Sequence, residues 1–358
     1  MFSLKGLLPD TKHTVGLDIG SSAVKLVEIL DVSEGYLLNN FSQIPLERGV
    51  IVEGAIVDGD ILCEKIRRLF KTAGCRAKKV VVSLSGHKVI ARKAVFQTME
   101  EEDLRQLIND EAGNYLPFDD VKDVSFDFQI LGESEGNPGQ MDVLLVAAKK
   151  NIVQSYVDIL EKAGLKPVIM DVDSFALETM YEVNYESENG DVVVLVNIGA
   201  SMTNINVLKG QGSIFTRDIS MGGQHLTDSI QEKLCVTFDE AERIKLESVK
   251  SDVQSPGSLR VDPLDHAEPL FAEIERSIDY FRSTHGGEYI KEVILSGGSA
   301  KIKGIGDALT QRLNIETQIV SPFHNIAYHK KFDSVYIEDI GPVAALGIGL
   351  ALRRMDDR

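Results

Sequence analysis

The residues best suited to chemistry sit in two short stretches of one type, GLDIGSSAVK at 16–25 and LVNIGASMTN at 195–204. Each is an apolar run ending in Asp or Asn, a glycine two residues later, and then small residues rich in hydroxyls. Glycine and small residues let backbone N–H groups come close to an anion, as in phosphate-binding nests. In the first stretch Gly20, Ser21 and Ser22 offer that geometry and Lys25 adds a point charge. Asp18 is suited to organising the waters of Mg2+, an ion held by few carboxylates together with phosphate oxygens. The second stretch offers Gly199, Ala200, Ser201, Thr203 and Asn204, with Asn197 in the place of the acid. A single Asp-x-Gly turn is most often a plain hairpin. Two of them in one chain point to a ligand approached from both sides.

Two further stretches fit a nucleoside. ILSGGSAKIKGI at 294–305 reads as a strand running into Ser296, Gly297, Gly298 and Ser299 and then a helix, and glycines without Cβ let a flat ring lie against the backbone. AERIK at 241–245 reads as helix, with Glu242 and Lys245 three residues apart on one face, able to approach a ribose and its base. Taken alone, that pair reads as a surface salt bridge. The glycine pairs at 304–306 and 347–349 lack the strand-linked GxGxxG fingerprint, and no GxxxxGK[ST] exists, so a Rossmann dehydrogenase or a Walker-type ATPase is not supported.

Composition narrows the class. The net charge of −17 disfavours non-specific contact with nucleic acid, and Lys78-Lys79 and Arg353-Arg354 read as short solvated edges. The apolar run at 343–352 is too short for a membrane span, and the first residues carry no small-residue cleavage signal. Cys63, Cys75 and Cys235 are widely spaced without a CxxC, which fits a reducing compartment. His324 and His329, the nearest histidine pair, match no HExxH spacing.

The elements that must position these residues follow from periodicity. Residues 14–30 read as strand, turn, strand, with a third strand at 36–45. A helix follows Asp58, with Ile61, Ile66, Leu69 and Phe70 at helical spacing and Gly74 as its C-cap, and then a buried strand at 79–84. A helix at 100–112, strands at 124–131 and 141–147 and a helix at 152–163 form an αββα-like unit lodged in the first half. In the second half, 191–197 lacks alternation and reads as a central strand covered on both faces. A hairpin, helices at 223–234, 237–247 and 266–284, a strand at 292–295, a helix at 305–313 and an Ala/Gly-rich helix from about Gly341 complete it.

In order and combination these stretches resemble the nucleotide cleft of the actin, Hsp70 and hexokinase superfamily. The resemblance is strongest to the PilM family, actin-like proteins of type IV pilus assembly related to the division protein FtsA, and it covers nearly the whole chain. It implies an α/β, two-lobed actin-like ATPase fold with an FtsA-type inserted subdomain. Subdomain 1A would comprise 12–95, 165–189 and 335–354, the inserted 1C would be 96–164, 2A would be 190–232 and 288–334, and 2B 233–287. By family pattern ATP and Mg2+ lie between the lobes. Asp18 faces the metal, and Gly20, Ser21, Ser22 and Lys25 face the phosphates. Asn197, Gly199, Ala200 and Ser201 approach from the other side. Gly222, Gly223, Glu242, Lys245, Gly297, Gly298 and Ser299 surround the nucleoside. The last helix, with Ala344, Ala345 and Gly347, would be one of two that cross at a hinge.

The resemblance also implies a partner: the N-terminal cytoplasmic tail of a PilN-like inner-membrane protein, held in a groove beside the insertion, with other pilus motor or platform components beyond it. Tyr115, Leu116 and Phe118 are groove candidates, equally suited to internal packing. Such a protein is cytoplasmic and peripheral to the inner membrane through its partners. Two departures point to slow or absent turnover: Asn197 lacks the charge of the superfamily's usual Asp, and the stretch 147–150 holds no acid or amide to position a water, Asn151 and Gln154 lying in the following helix. Alternatives are an active ATPase or small-molecule kinase, which would need such an acid, and an FtsA-like division protein, expected to end in an amphipathic membrane helix.

Overall fold

The computed structural model describes residues 14–86, 89–115, 123–134, 137–188, 190–210, 212–250 and 261–353. The chain opens with β1 (Thr14–Ile19), β2 (Ala23–Val32) and β3 (Gly35–Pro45), a small hairpin of β4 (Ile51–Val52) and β5 (Ala55–Ile56), then α1 (Gly59–Ala73) and β6 (Lys79–Leu84). β7 (Val89–Gln97), α2 (Glu101–Tyr115), β8 (Val124–Glu133) and β9 (Gln140–Lys149) follow, then α3 (Lys150–Lys162), β10 (Lys166–Val172) and α4 (Asp173–Asn184). The second half runs β11 (Val192–Ile198), β12 (Thr203–Lys209), β13 (Gly212–Ile219), α5 (Gly223–Leu234), α6 (Phe238–Lys250) and α7 (Glu268–Thr284). It closes with β14 (Ile290–Ser296), α8 (Ile305–Leu313), β15 (Glu316–Ile319), β16 (Ile326–Tyr328) and α9 (Ser334–Leu352).

The two halves repeat one sheet. The first has the order β10-β6-β1-β2-β3 with β16 added at the β3 edge, and the second has β15-β14-β11-β12-β13. In both, the central strand pairs antiparallel with the strand after it and parallel with a later one. All seven residues of β11 are buried, so its apolar run up to Val196 reflects cover on both faces.

Between the sheets lie α4 and α9, sharing one core with Val27, Ile29 and Leu38 of the first sheet and Val193, Leu195 and Ile294 of the second. Their contacts are backbone-close. A Cβ at Gly349 would stand 1.7 Å from the Ala176 carbonyl oxygen of α4, and one at Gly16 would stand 2.3 Å from the Gly347 carbonyl oxygen. The glycines of α9 are therefore a condition of the crossing. The helix begins at Ser334, a turn and more before the expected Gly341, because Asp333 caps it by accepting from the Tyr336 amide at 2.7 Å. Pro342 lies inside it and gives up one helical hydrogen bond. By length and mean hydropathy (1.5) α9 could cross a membrane, but 72% of its most apolar window is buried in this core.

The expected helix, two strands and helix are present as α2, β8, β9 and α3, and β7 adds a strand: β7, β9 and β8 form a three-stranded antiparallel sheet, onto which α2 packs Leu104 and Ile108 beside Phe96, Val143 and Leu145. α3 bridges that sheet and the first: Tyr156, Ile152 and Val153 pack with Val89 and Ala148, while Leu160 lies in the core of the first sheet with α1 and the Tyr156 hydroxyl donates to the Gly54 carbonyl at 3.1 Å. α7 likewise shares the second sheet's core through Leu270, Ile274, Ile278 and Phe281. α1 forms as its sequence dictates, with Asp58 accepting from the Ile61 amide and Gly74 left-handed at φ 64°.

Candidate functional site: two facing turns

The β1–β2 and β11–β12 turns are built alike. Each spans four residues between paired positions, Ile19 with Val24 and Ile198 with Thr203. Each is closed by its glycine amide, Gly20 to the Ala23 carbonyl at 3.1 Å and Gly199 to the Met202 carbonyl at 2.9 Å. They meet directly, the Ser201 hydroxyl donating to that of Ser21 at 2.8 Å.

One register back from each glycine the chemistry diverges. Asp18 pairs across the strands with Lys25, whose ammonium lies 2.7 Å from Oδ2, and Asp18 is 4% exposed. The equivalent pair is Asn197 and Asn204, the Asn197 amide donating to Asn204 Oδ1 at 3.1 Å. The Asn197 side-chain carbonyl accepts from the Ser296 hydroxyl at 3.2 Å. Asn204 in turn donates to Asp218 Oδ1 at 2.8 Å, and Oδ2 of Asp218 accepts from the Gly86 amide of the first half at 2.6 Å.

The remaining candidates of the second half converge on the second turn. The Gly223 and Gln224 amides at the start of α5 donate to the Gly199 and Ala200 carbonyls at 2.9 and 2.7 Å. A Cβ at Gly222 would stand 2.6 Å from the Gly199 carbonyl oxygen, one at Gly223 2.3 Å from the Ser299 hydroxyl, and one at Gly297, where φ is 89°, 2.4 Å from the Ile198 carbonyl oxygen. These glycines serve close packing of turn on turn. Around Gly298 a Cβ would meet nothing within 4 Å, so that backbone faces open space. Glu242 and Lys245 form an ion pair of 2.7 Å drawn inward: Lys245 is buried and donates to the Gly223 carbonyl at 3.0 Å and to Thr227 Oγ1 at 2.8 Å. A surface salt bridge would have left both in water; this one ties α6 to the start of α5.

Asp173 was not legible as a site residue. It opens α4 at the end of β10 and accepts from the Ser83 hydroxyl at 2.5 Å. Desolvation, with the like charges of Asp18 and Asp218 adding to it, pushes its pKa up to about 7 against the pull of the Ser83 hydrogen bond. The available signal was a strand ending in Asp immediately before a helix. It was hidden because α4 is buried on most sides and shows no 3.6-residue stripe. Leu116 and Phe118 lie outside the described residues.

What the site can hold follows from its groups. Gly20 lies against the largely buried ion pair: a Cβ there would stand 3.8 Å from Asp18 Oδ1 and 4.0 Å from Lys25 Nζ, in ordinary contact with both. The first turn thus combines an ammonium, a carboxylate and two hydroxyls and fits a phosphate with a magnesium ion, whereas the second offers neutral groups only. Among the described residues no group of three or more His, Cys, Asp or Glu side chains could hold a metal by itself.

Duplicated five-stranded sheets, two helices crossing between them and paired turns facing each other define an actin-like, two-lobed ATPase fold related to FtsA. The family described as type IV pilus assembly protein PilM matches residues 16–355, and the chain belongs to that family. Among solved structures it is similar to a chain described as the PilM-PilN type IV pilus biogenesis complex, with a TM-score of 0.83 and 28% identity over 95% of this chain and 98% of that one. MreB5 of Spiroplasma citri bound to ADP superposes with a TM-score of 0.50 at 13% identity, over 88% of this chain and 94% of that one, a likeness of fold. The cell division protein FtsA of Enterococcus faecalis is 24% identical, over 87% of this chain and 79% of its own.

Proposed function

We propose that this chain is a cytoplasmic scaffold of type IV pilus assembly that holds the N-terminal cytoplasmic tail of a PilN-like inner-membrane protein and whose lobes respond to ATP and Mg2+. The partner rests on likeness over nearly the full length to a chain from a PilM-PilN complex, and the location at the inner membrane follows from that partner. The observation that carries the nucleotide is the pair of facing turns joined by Ser21 and Ser201. Asp18 would face the magnesium and Gly20, Ser21, Ser22 and Lys25 the phosphates. Gly199, Ala200 and Ser201 would close from the other lobe. Gly222, Gly223, Glu242, Lys245, Gly297, Gly298 and Ser299 would line the nucleoside side. Bound ATP with Mg2+ supplies a polyanion and a divalent cation, and its entry has to replace the Ser21–Ser201 hydrogen bond. Nucleotide state is thereby tied to the spacing of the lobes. We assign β7 to β9 and α2 to the tail-binding insertion, and α3 to the first lobe.

Calorimetric titration with ATP and with the tail peptide, each in the presence and absence of the other, tests this. Linkage requires any effect to be reciprocal. Failure of a PilN-like tail to bind under any nucleotide condition would remove the scaffold role. A second reading, slow ATP hydrolysis, is favoured by Asp173, an acid of near-neutral pKa beside Asp18 and Ser83. Phosphate release that survives Asp173→Asn unchanged would remove it.

A further inference from the structure

Outside the cleft, one end of the first lobe carries a feature at odds with the acidic average of the chain. From Lys65 to Met99 the sequence contains no Asp or Glu, in a protein of net charge −17. Read linearly, Lys78 and Lys79 were a short edge. The fold gathers them with residues distant in sequence. β6 and β10 run parallel with Lys79 opposite Lys166, so Lys78, Lys79 and Lys166 share the end at which both strands start. α1 delivers Arg68 and Lys71 to the same end, and Arg76 follows its cap. These six side chains are exposed and make no ion pair with the described residues.

Two of the six, Lys71 and Lys78, border a cavity of about 240 Å3, with Ile66, Phe70, Ala163 and Leu165 as apolar lining and Arg67 as a further basic one. Cys75 also lines it, and burial raises that thiol's pKa, so it is a neutral wall here. Arg67 and Lys71 lie where cations offset a helix C-terminus, which explains them alone. It does not explain Arg76, Lys78, Lys79 and Lys166, which lie on no helix. Nor is this the nucleotide cleft: Asp173 and Ser83 lie at the opposite ends of β10 and β6, roughly 20 Å away along a six-residue strand.

We infer that this end of the first lobe is a docking site for an acidic peptide segment of a partner protein that inserts one apolar side chain between α1 and the end of α3. Charge complementarity selects the acidic partner. The concave, apolar-lined cavity selects a peptide with an anchoring side chain over a flat anionic surface. The site adds a second partner surface to the scaffold, at the end of the sheet away from the insertion.

The test uses the full-length protein and a fluorescein-labelled synthetic peptide of Glu and Asp residues with one central Phe, read by anisotropy. The expected result is saturable binding that weakens as salt rises. The Lys71→Glu/Lys78→Glu/Lys166→Glu variant should weaken it at least about tenfold. Ala163→Phe, which fills the cavity without changing charge, should do the same, and replacing the peptide's Phe by Gly should mimic it. All three lysines are exposed, and Ala163→Phe keeps the proposal falsifiable should the triple variant not fold. Absence of binding, or binding that neither variant weakens, overturns the proposal. Binding to phosphatidylglycerol vesicles that is stronger than to the peptide and indifferent to Ala163→Phe also overturns it, in favour of a membrane surface.

Discussion

The two glycine turns share length, closing hydrogen bond and strand register, yet one holds an ion pair and the other a pair of amides. Asp18 and Lys25 stand as a charged couple, largely buried, with the Cβ-less Gly20 beside it. Asn197 and Asn204 are spent on internal partners, Ser296 on one side and Asp218 on the other. Identical backbone geometry therefore does not imply identical work. In the function proposed above, the first turn would meet phosphate and metal through charge, and the second would close over them through backbone and hydroxyl. The amide network also joins the lobes, because Asp218 accepts from Gly86.

This contrast can be broken or sharpened in order of expected effect. Both turns hang from the α4–α9 crossing, so Gly349→Ala, which puts a Cβ against the Ala176 carbonyl, should cost about 3 kcal/mol and abolish a single sharp thermal transition. An unchanged melting temperature would show that the crossing is not the shared support. Making the second turn like the first with Asn197→Asp places a carboxylate in a buried network beside Asp218. Chemical denaturation should show a loss of about 2 kcal/mol at neutral pH that shrinks as pH falls and the new acid takes a proton.

Asp173 gives the contrast a pH dependence. Its pKa near 7 in the folded chain lies above the roughly 4 of an unfolded aspartate, so folding favours the protonated form. Its contribution to stability is fully present below about pH 4 and is lost as pH rises through about 7. Asp173→Asn should flatten the melting temperature across that window and leave the variant the more stable protein at pH 8. The smallest effect belongs to Ser201→Ala, which removes the bond between the turns and should cost about 1 kcal/mol or less, read as faster amide exchange at Gly20 and Gly199.

Much of the fold was legible because it rests on local pattern. β1 to β3, α1 with its Asp58 and Gly74 caps, β6, α5 and α8 lie where periodicity and capping residues place them. What escaped was set by tertiary contact. α4 is buried on most sides and so lacks an amphipathic stripe, and α9 runs through Pro342, a residue that reads as a helix start. β7 joins the sheet of β8 and β9 only by pairing with β9 across the intervening α2 and β8, and α3 divides its contacts between that sheet and the first lobe's core, where Leu160 lies. At the site, sequence spacing brought out both turns and the Glu242–Lys245 pair. It could not show that Asn197 turns inward or that Asp173 stands near both Asp18 and Asp218, far apart in the chain. Those depend on which side of a sheet a residue reaches.

The most direct measurement is calorimetric titration of ATP, with and without Mg2+, into the wild-type chain, Asp18→Asn and Asn197→Ala. Charge at the first turn and neutrality at the second require Mg2+-dependent binding in the wild type, loss of about tenfold and of the Mg2+ dependence in Asp18→Asn, and retained Mg2+ dependence in Asn197→Ala. Equal losses in both variants, or ATP affinity in Asp18→Asn that matches the wild type with and without Mg2+, would contradict it.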